Sequence, residues 1–354
     1  MVIEGIIGHE GALRTLGAEV DRPANSYLFV GASGIGKATV ARRLAAALLC
    51  PTMGDHEEAC SSCRRVGNGN HPDLTVVEPE ARQALGVAEA RATVAQAVLA
   101  PMEAARKVFL FEEAGNMTDQ AANALLKTLE EPTATTVFLL CAESEEDLPA
   151  TVGSRCRTIH FGRVEEEVIV DGLLRRGVGR EQAGGAARIA GGRPGLALDL
   201  VRRAEVADYR RAWLSVPLEA SARPGDVFRL AEQMMAAVEP LLIGIRDRHA
   251  TEEDGSGGSR TARERQEREL KRKSQALLVA GLEIVASWYA DAASVQHGGP
   301  ARNSDVPVAS LTSVSPRAAV RKAGRVLDAI TELQAGQRPT LVLASLFAEL
   351  GDEG

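Results

Sequence analysis

The chain has 354 residues, 45% of them hydrophobic and 25% charged, a balance that supports two or three folded domains with real cores. Its 41 basic and 48 acidic side chains leave a formal charge of −7, which excludes nucleic-acid binding through a global basic field; any such contact has to be local or shared with partners. The N-terminal Met1 to Gly8 lacks the basic start and apolar core of a secretory signal, and no apolar run approaches the length of a membrane span. A cytoplasmic location without a membrane partner is therefore expected. In that compartment the five cysteines read as thiols or metal ligands rather than disulfides.

Tyr27 to Val30 reads as a short buried strand, and Ala38 to Leu49 carries apolar residues at helical spacing. Between them lies Gly31-Ala-Ser-Gly34-Ile-Gly36-Lys37-Ala38-Thr39, a phosphate-binding loop. Its glycines Gly31, Gly34 and Gly36 let successive backbone N–H groups face phosphate oxygens, the helix start adds partial positive charge, and Lys37 reaches the β and γ phosphates. Where a magnesium-binding Ser or Thr belongs, the chain has Ala38, although the adjacent Thr39 keeps a hydroxyl.

Cys50, Cys60 and Cys63 come next, in an insertion over about 50–71, ahead of His71-Pro72-Asp73. Structural zinc sites are four-coordinate, so three thiolates need a fourth partner. His56 is the better chemical candidate and Glu57 the less usual one; without metal, the module would fold on packing with three reduced thiols.

Leu74 to Val77 and Val108 to Phe111 are further strand candidates. The second ends in Glu112 and Glu113, the placement in which a first carboxylate holds magnesium and a second polarises water. A buried strand ending at two solvated acids explains the segment equally well in isolation; its position after a phosphate loop favours the functional reading. Val137 to Cys141 and Thr158 to Phe161 complete an alternation of strands and helices that predicts an α/β domain with a mostly parallel sheet. Cys141 and Cys156 read as small apolar packing groups, since no histidine is placed to activate either.

Beyond Gly162 the strand signals stop. Glu165 to about Arg203 reads as a helical segment broken at Gly191-Gly-Arg-Pro-Gly195, and the remainder is helical or irregular. Thr251 to Lys273 is a polar insertion of mixed charge, read as an exposed loop running into a solvated helix, with a DNA-contacting arm as the alternative. Apolar helices resume at Leu277 to Ala290 and Leu341 to Leu350, separated by a loop at His297 to Val306.

Taken with Met117-Thr-Asp-Gln-Ala-Ala-Asn123-Ala-Leu-Leu-Lys127-Thr-Leu-Glu130-Glu131-Pro132 and Thr151-Val-Gly-Ser154-Arg155-Cys156, the phosphate loop resembles the AAA+ module of the bacterial DNA polymerase III clamp loader. The resemblance is strong over residues 1–163. It implies an AAA+ nucleotide-binding domain at 1–163, a helical lid at 164–205 and an all-α collar at 206–354, the last carrying the polar insertion at about 251–273. It also implies a zinc module at 50–71, and an arginine finger, Arg155, that acts on the nucleotide of a neighbouring subunit. Arginine suits that role because its planar guanidinium grips a phosphoryl group with paired donors.

Against the gamma/tau motor pattern, four positions depart: Ala38, Glu112, the Cys141-Ala142-Glu143 region where a threonine would contact the γ phosphate, and Gly195 where a lid arginine belongs by register, with Arg193 two residues away. The combination resembles the delta-prime type of subunit, with an active gamma/tau-type ATPase as the alternative. Such a likeness implies ATP or ADP bound without turnover. Its implied partners are gamma/tau and delta subunits in a hetero-oligomeric ring, with the sliding clamp and primer-template DNA reached through the complex.

Overall fold

The computed structural model describes residues 5–56, 59–78, 84–201, 203, 205–253, 260–303 and 305–352. Five strands, β1 (Ser26–Val30), β2 (Leu74–Val76), β3 (Lys107–Phe111), β4 (Thr136–Ala142) and β5 (Arg157–His160), form one sheet in the order β2-β3-β4-β1-β5. Every neighbouring pair is parallel. Each strand lies within a residue of the span its sequence predicts.

β1, β3 and β4 are buried along their whole length, the condition under which parallel strands read as unbroken apolar runs. Alternation sends Tyr27, Phe29, Val108, Leu110, Leu139 and Cys141 to one face, where they pack with the phosphate-loop helix (Lys37–Leu49) through Val40, Leu44 and Leu48. Leu28, Val30, Phe109, Phe111, Phe138 and Leu140 face the other way, toward Ala121, Ala122, Leu125 and Leu129 of the helix Asp119–Glu130. Thr118 starts that second helix by accepting a hydrogen bond from Ala121 N.

The chain divides into two compact units: Met1–Gly172 with Gly192–Gly195, and Leu173–Gly191 with Leu196–Gly354. The second is helical throughout most of its described residues, with long helices at Val206–Glu219, Pro224–Glu253, Arg260–Val295, Pro316–Gln334 and Pro339–Leu350. Of the expected polar insertion, 251–253 close one helix and Arg260 opens the next, while 254–259 lie outside the described residues.

The expectation that no apolar run approaches the length of a membrane span meets one helix, Leu270–Val295, that is long and apolar enough by length and composition, with mean hydropathy 1.4 over an 18-residue window. It is the central helix of the second unit: 67% of its most apolar window is buried, and it packs against Val206–Glu219, Pro224–Glu253 and Pro316–Gln334. That packing explains both properties, because a helix covered on several sides is apolar nearly all round.

Two further features hold this unit together. Arg210 donates from Nε and Nη2 to Asp305, and from Nη2 to Asn303 Oδ1. Asn303 in turn donates from Nδ2 to Asp291 Oδ2, whose carboxylate also accepts the backbone N–H groups of Arg302 and Asn303. The predicted loop around His297 to Val306 is therefore pinned at a buried hydrogen-bond network. Trp213, fully buried, lies so close to Gly281 that a Cβ there would stand 2.0 Å from the ring. Gly281→Ala is expected to destabilise the second unit by about 1–3 kcal/mol through overpacking, read as a lowered denaturant midpoint with little change in slope.

Candidate nucleotide and metal sites

β1 lies between β4 and β5, so the chain leaving Val30 emerges at the carboxyl ends of parallel strands, where open α/β sheets gather ligands. The loop beyond it turns on Gly34 and Gly36, at φ 76° and 110°, a region other residues enter with strain. Gly31 is required for a different reason: a Cβ there would stand 2.4 Å from Phe161 O. Gly36 N-caps the helix Lys37–Leu49, and His9 Nε2 donates to Ile35 O at 3.0 Å, anchoring the loop from outside.

Lys37 Nζ donates to Gly31 O at 2.5 Å and to Ala32 O at 3.0 Å, tying the loop to itself. Burial pulls this ammonium below the usual lysine range, while Cys141, Glu143 and Asp147 act in the opposite direction. Glu143, just past the end of β4, is exposed as a residue, yet enough protein surrounds its carboxyl for desolvation to raise it above the usual carboxylate range. Lys37 opposes that rise and Asp147 adds to it. Asp147 accepts the N–H groups of Glu143 and Ser144 at 3.0 and 2.8 Å, which fixes the turn carrying both acids.

The two acids after β3 are both engaged. Glu112 Oε1 accepts from Arg42 Nε at 2.5 Å in a mostly buried ion pair. Glu113 Oε2 accepts from Asn116 Nδ2 at 3.1 Å. Arg42 comes four residues after Ala38, one turn further along the same helix face. The Cys141 thiol, fully buried, is pushed up to about 12 by desolvation, with the charges of Lys37, Glu112 and Arg42 as smaller influences. Ala38 offers no oxygen and Glu112 is paired to a guanidinium, so this donor set does not fit magnesium. Thr39 is exposed in the first helical turn. Gly195 packs so closely on the loop that a Cβ would stand 2.9 Å from Gly34 O, and Arg193 beside it is buried.

Arg155 sits at the surface after a short helix (Ala150–Gly153). Its Nε donates to Glu130 Oε1 at 2.7 Å, its Nη1 donates to Thr151 O at 2.6 Å, and Nη2 completes the ion pair with Glu130. Both members of that pair are substantially solvated, so it orients the guanidinium more than it stabilises the fold.

In the insertion, Cys50, His56, Cys60 and Cys63 bring one donor atom each within 4.8 Å of one another. Cys50 Sγ and Cys60 Sγ are 3.8 Å apart, and His56 Nε2 and Cys63 Sγ are 3.3 Å apart. A tetrahedron with zinc–sulfur bonds of about 2.3 Å has edges of about 3.8 Å, so this donor set fits zinc in both chemistry and size. Glu57, the other candidate for fourth ligand, lies outside the described residues. The helix Ser61–Gly67 carries Cys63 and starts on Cys60, whose Sγ accepts from Cys63 N. Burial opposes ionisation of Cys50, but hydrogen bonds from Thr52, Gly54 and Cys60 outweigh it and bring the thiol to about 6. Burial and the neighbouring sulfurs push Cys63 up to about 12, because packed thiols do not ionise together without a cation. Cys156 is isolated from this group and raised by burial to about 12, as expected of a packing residue.

Arg42 and the Glu130 contact of Arg155 were not marked by sequence reasoning. For Arg42 a signal existed, since it lies one helical turn beyond the missing hydroxyl.

A phosphate loop between the β1 strand of a β2-β3-β4-β1-β5 parallel sheet and its helix defines an AAA+ P-loop module. Residues 12–165 match the family model described as DNA polymerase III, delta subunit. The chain is 36% identical over 168 residues to DNA polymerase III subunit delta' of Bacillus subtilis, covering 47% of this chain and 50% of that protein. It is 42% identical over 136 residues to subunit delta' of Pseudomonas aeruginosa, 38% of this chain and 42% of that one. With subunit tau of Bacillus subtilis it shares 30% identity over 247 residues, 68% of this chain and 42% of that one. The matches thus span half the length of these relatives or less. Residues 12–165 thus place this part of the chain in the DNA polymerase III clamp-loader family that includes delta' and tau.

His71 and Asp73, flanking Pro72, have a structural role beside these sites. The buried Asp73 carboxylate accepts the backbone N–H groups of Met102, Glu103 and Ala104 at 2.6, 2.9 and 2.9 Å. Burial works against the charge, but these bonds prevail and hold Asp73 below the usual carboxylate range. His71 is lowered by burial, with Glu103, 3.2 Å from its Nε2, opposing. Both folded-state values lie below the unfolded ones, so both groups favour folding at neutral pH. That contribution falls on acidification, first below about 6.5 as His71 titrates in the unfolded chain, then below about 3.9 for Asp73. Denaturation measured from pH 7 to pH 4 should show the loss. Asp73→Asn should cost about 1–3 kcal/mol at pH 7 and flatten the low-pH part of the profile.

Proposed function

We propose that this chain is a delta'-type clamp-loader subunit that lends Arg155 to the nucleotide site of a neighbouring gamma/tau ATPase and turns over little or no ATP itself. The observation that carries the reading is the placement of Glu143 beside the phosphate loop: it directly follows Ala142, whose carbonyl accepts Gly31 N at 3.3 Å, and with Asp147 it acts on the Lys37 ammonium. A triphosphate gripped by Lys37 would bring its terminal charge against two acids at the edge of a low-dielectric sheet, where like charges repel strongly. Hydrolysis also needs a metal held against the phosphates and a positioned water, and Ala38 with the paired Glu112 supports neither.

Arg155, by contrast, is solvated, held by an exchangeable surface ion pair, and able to leave Glu130 for a phosphoryl group of higher charge. In this reading 1–163 is the nucleotide-binding domain, 164–205 the lid and 206–354 the collar through which the subunit joins gamma/tau and delta chains. As a stator in the cytoplasm it supports loading of the sliding clamp onto primer-template DNA. Zinc on Cys50, His56, Cys60 and Cys63 would be structural, since all four positions are taken by protein.

The isolated chain should hydrolyse ATP at background rate, and Lys37→Ala should change nothing; DNA-stimulated turnover abolished by that substitution would assign the chain to the gamma/tau type instead. In a reconstituted loader, Arg155→Ala should lower ATP turnover by about 10³-fold while the complex still assembles, and unaltered turnover would remove the finger role. Metal analysis of untagged protein should find one zinc per chain, lost in Cys60→Ser and weakened in His56→Ala. A zinc content well below one equivalent would leave the cluster as packed thiols.

A further inference from the structure

We propose that the phosphate loop binds a nucleoside diphosphate without a divalent cation, the Arg42–Glu112 ion pair standing in place of a metal and its carboxylate. This rests on the reading that the site does not turn over ATP. The cradle itself is intact: positive-φ glycines at Gly34 and Gly36, a closely packed Gly31, and Lys37 at the head of a 13-residue helix.

The cation's protein ligands are missing or engaged. Magnesium keeps several waters and takes one or two protein oxygens besides those of the phosphates. At position 38 there is no oxygen, and the carboxylate at the end of β3 is bonded to Arg42 Nε at 2.5 Å. An entering metal would have to break that bond and leave a mostly buried guanidinium unpaired, a loss that a single carboxylate contact does not offset. The charge that a metal would set against Glu112 is already supplied by the guanidinium of Arg42, on the same helix as Lys37.

Phosphate number is set at the same edge. Lys37 spans the β and γ positions. Gly31 N, at the head of the loop, donates to Ala142 O at 3.3 Å, so Glu143 follows directly beside the loop and its N–H is bonded to Asp147 Oδ2 at 3.0 Å. The extra charge of a γ phosphate therefore enters beside acids, whereas a diphosphate brings less of it and can still replace the Gly31 and Ala32 carbonyls as the partner of Lys37.

The test is a fluorescence titration of the full chain with a methylanthraniloyl-labelled ADP, in magnesium and in excess EDTA. The dissociation constant should agree within about two-fold between the two conditions, and the labelled ATP analogue should bind about ten-fold more weakly in both. Loss of about ten-fold or more in EDTA, equal affinity for the two nucleotides, or no binding in either buffer would each overturn the proposal. Arg42→Ala should weaken binding in EDTA and make it responsive to magnesium, because Glu112 is freed. Glu112→Gln, which keeps the guanidinium, should retain metal-free binding, and its loss in a variant with unchanged circular dichroism would count against the proposal. Magnesium-dependent binding with background ATPase would remove this inference and leave the stator reading standing; magnesium-dependent binding with turnover would remove both.

Discussion

The functional geometry of the first unit depends on β1 being clamped in parallel between β4 and β5. Because Ser26 to Val30 are buried on both faces, their register against Phe138 to Ala142 and Tyr27's against Arg157 cannot slip without moving apolar side chains into water. That register brings Gly31 to Phe161, sets the loop at the sheet edge, and puts the ends of β3 and β4 beside the first turns of the loop helix. Lys37, Arg42, Glu112 and Glu143 come from three separate segments, and only the strand order makes them neighbours.

Charge at this edge is balanced internally. Lys37 rests on loop carbonyls with acids nearby, Arg42 neutralises Glu112, and Glu113 is held by Asn116. A site built for hydrolysis leaves a carboxylate open for metal and an ammonium open for phosphate. Here each partner of the reaction already has a counterpart within the chain. The outward-facing Arg155 has the opposite character, being paired with a solvated acid that competes weakly against a phosphoryl group. The inner site is self-satisfied and the surface arginine loosely held, and it is on that contrast that the proposed assisting role rests.

Much of this was legible before any coordinates. Strands as apolar as Val-Phe-Leu-Phe and Phe-Leu-Leu-Cys have no stable location but a sheet covered on both faces, and the phosphate loop carries its own punctuation in glycine and lysine. The fourth member of the Cys/His cluster was also within reach, because the tetrahedral demand of three thiolates points to the nearest imidazole. What escaped were pairings across long stretches of chain. Arg42 and Glu112 are 70 residues apart and Arg155 and Glu130 are 25 apart; neither element's own periodicity marks the partner. Asp73, just past the cysteine insertion, carried no sign of its partners, and its carboxylate orders the turn at 102–104. Trp213 and Gly281 meet between two helices whose packing no local pattern specifies.

The contact between Gly195 and Gly34 makes the phosphate loop answerable to a residue far along the chain. With a Cβ at 195 standing 2.9 Å from a backbone carbonyl of the loop, no replacement of that glycine fits unless the loop itself shifts. The glycine therefore acts as a gauge of the loop's shape: a side chain at 195 is accommodated only by a loop of different conformation, so the two segments can change only together.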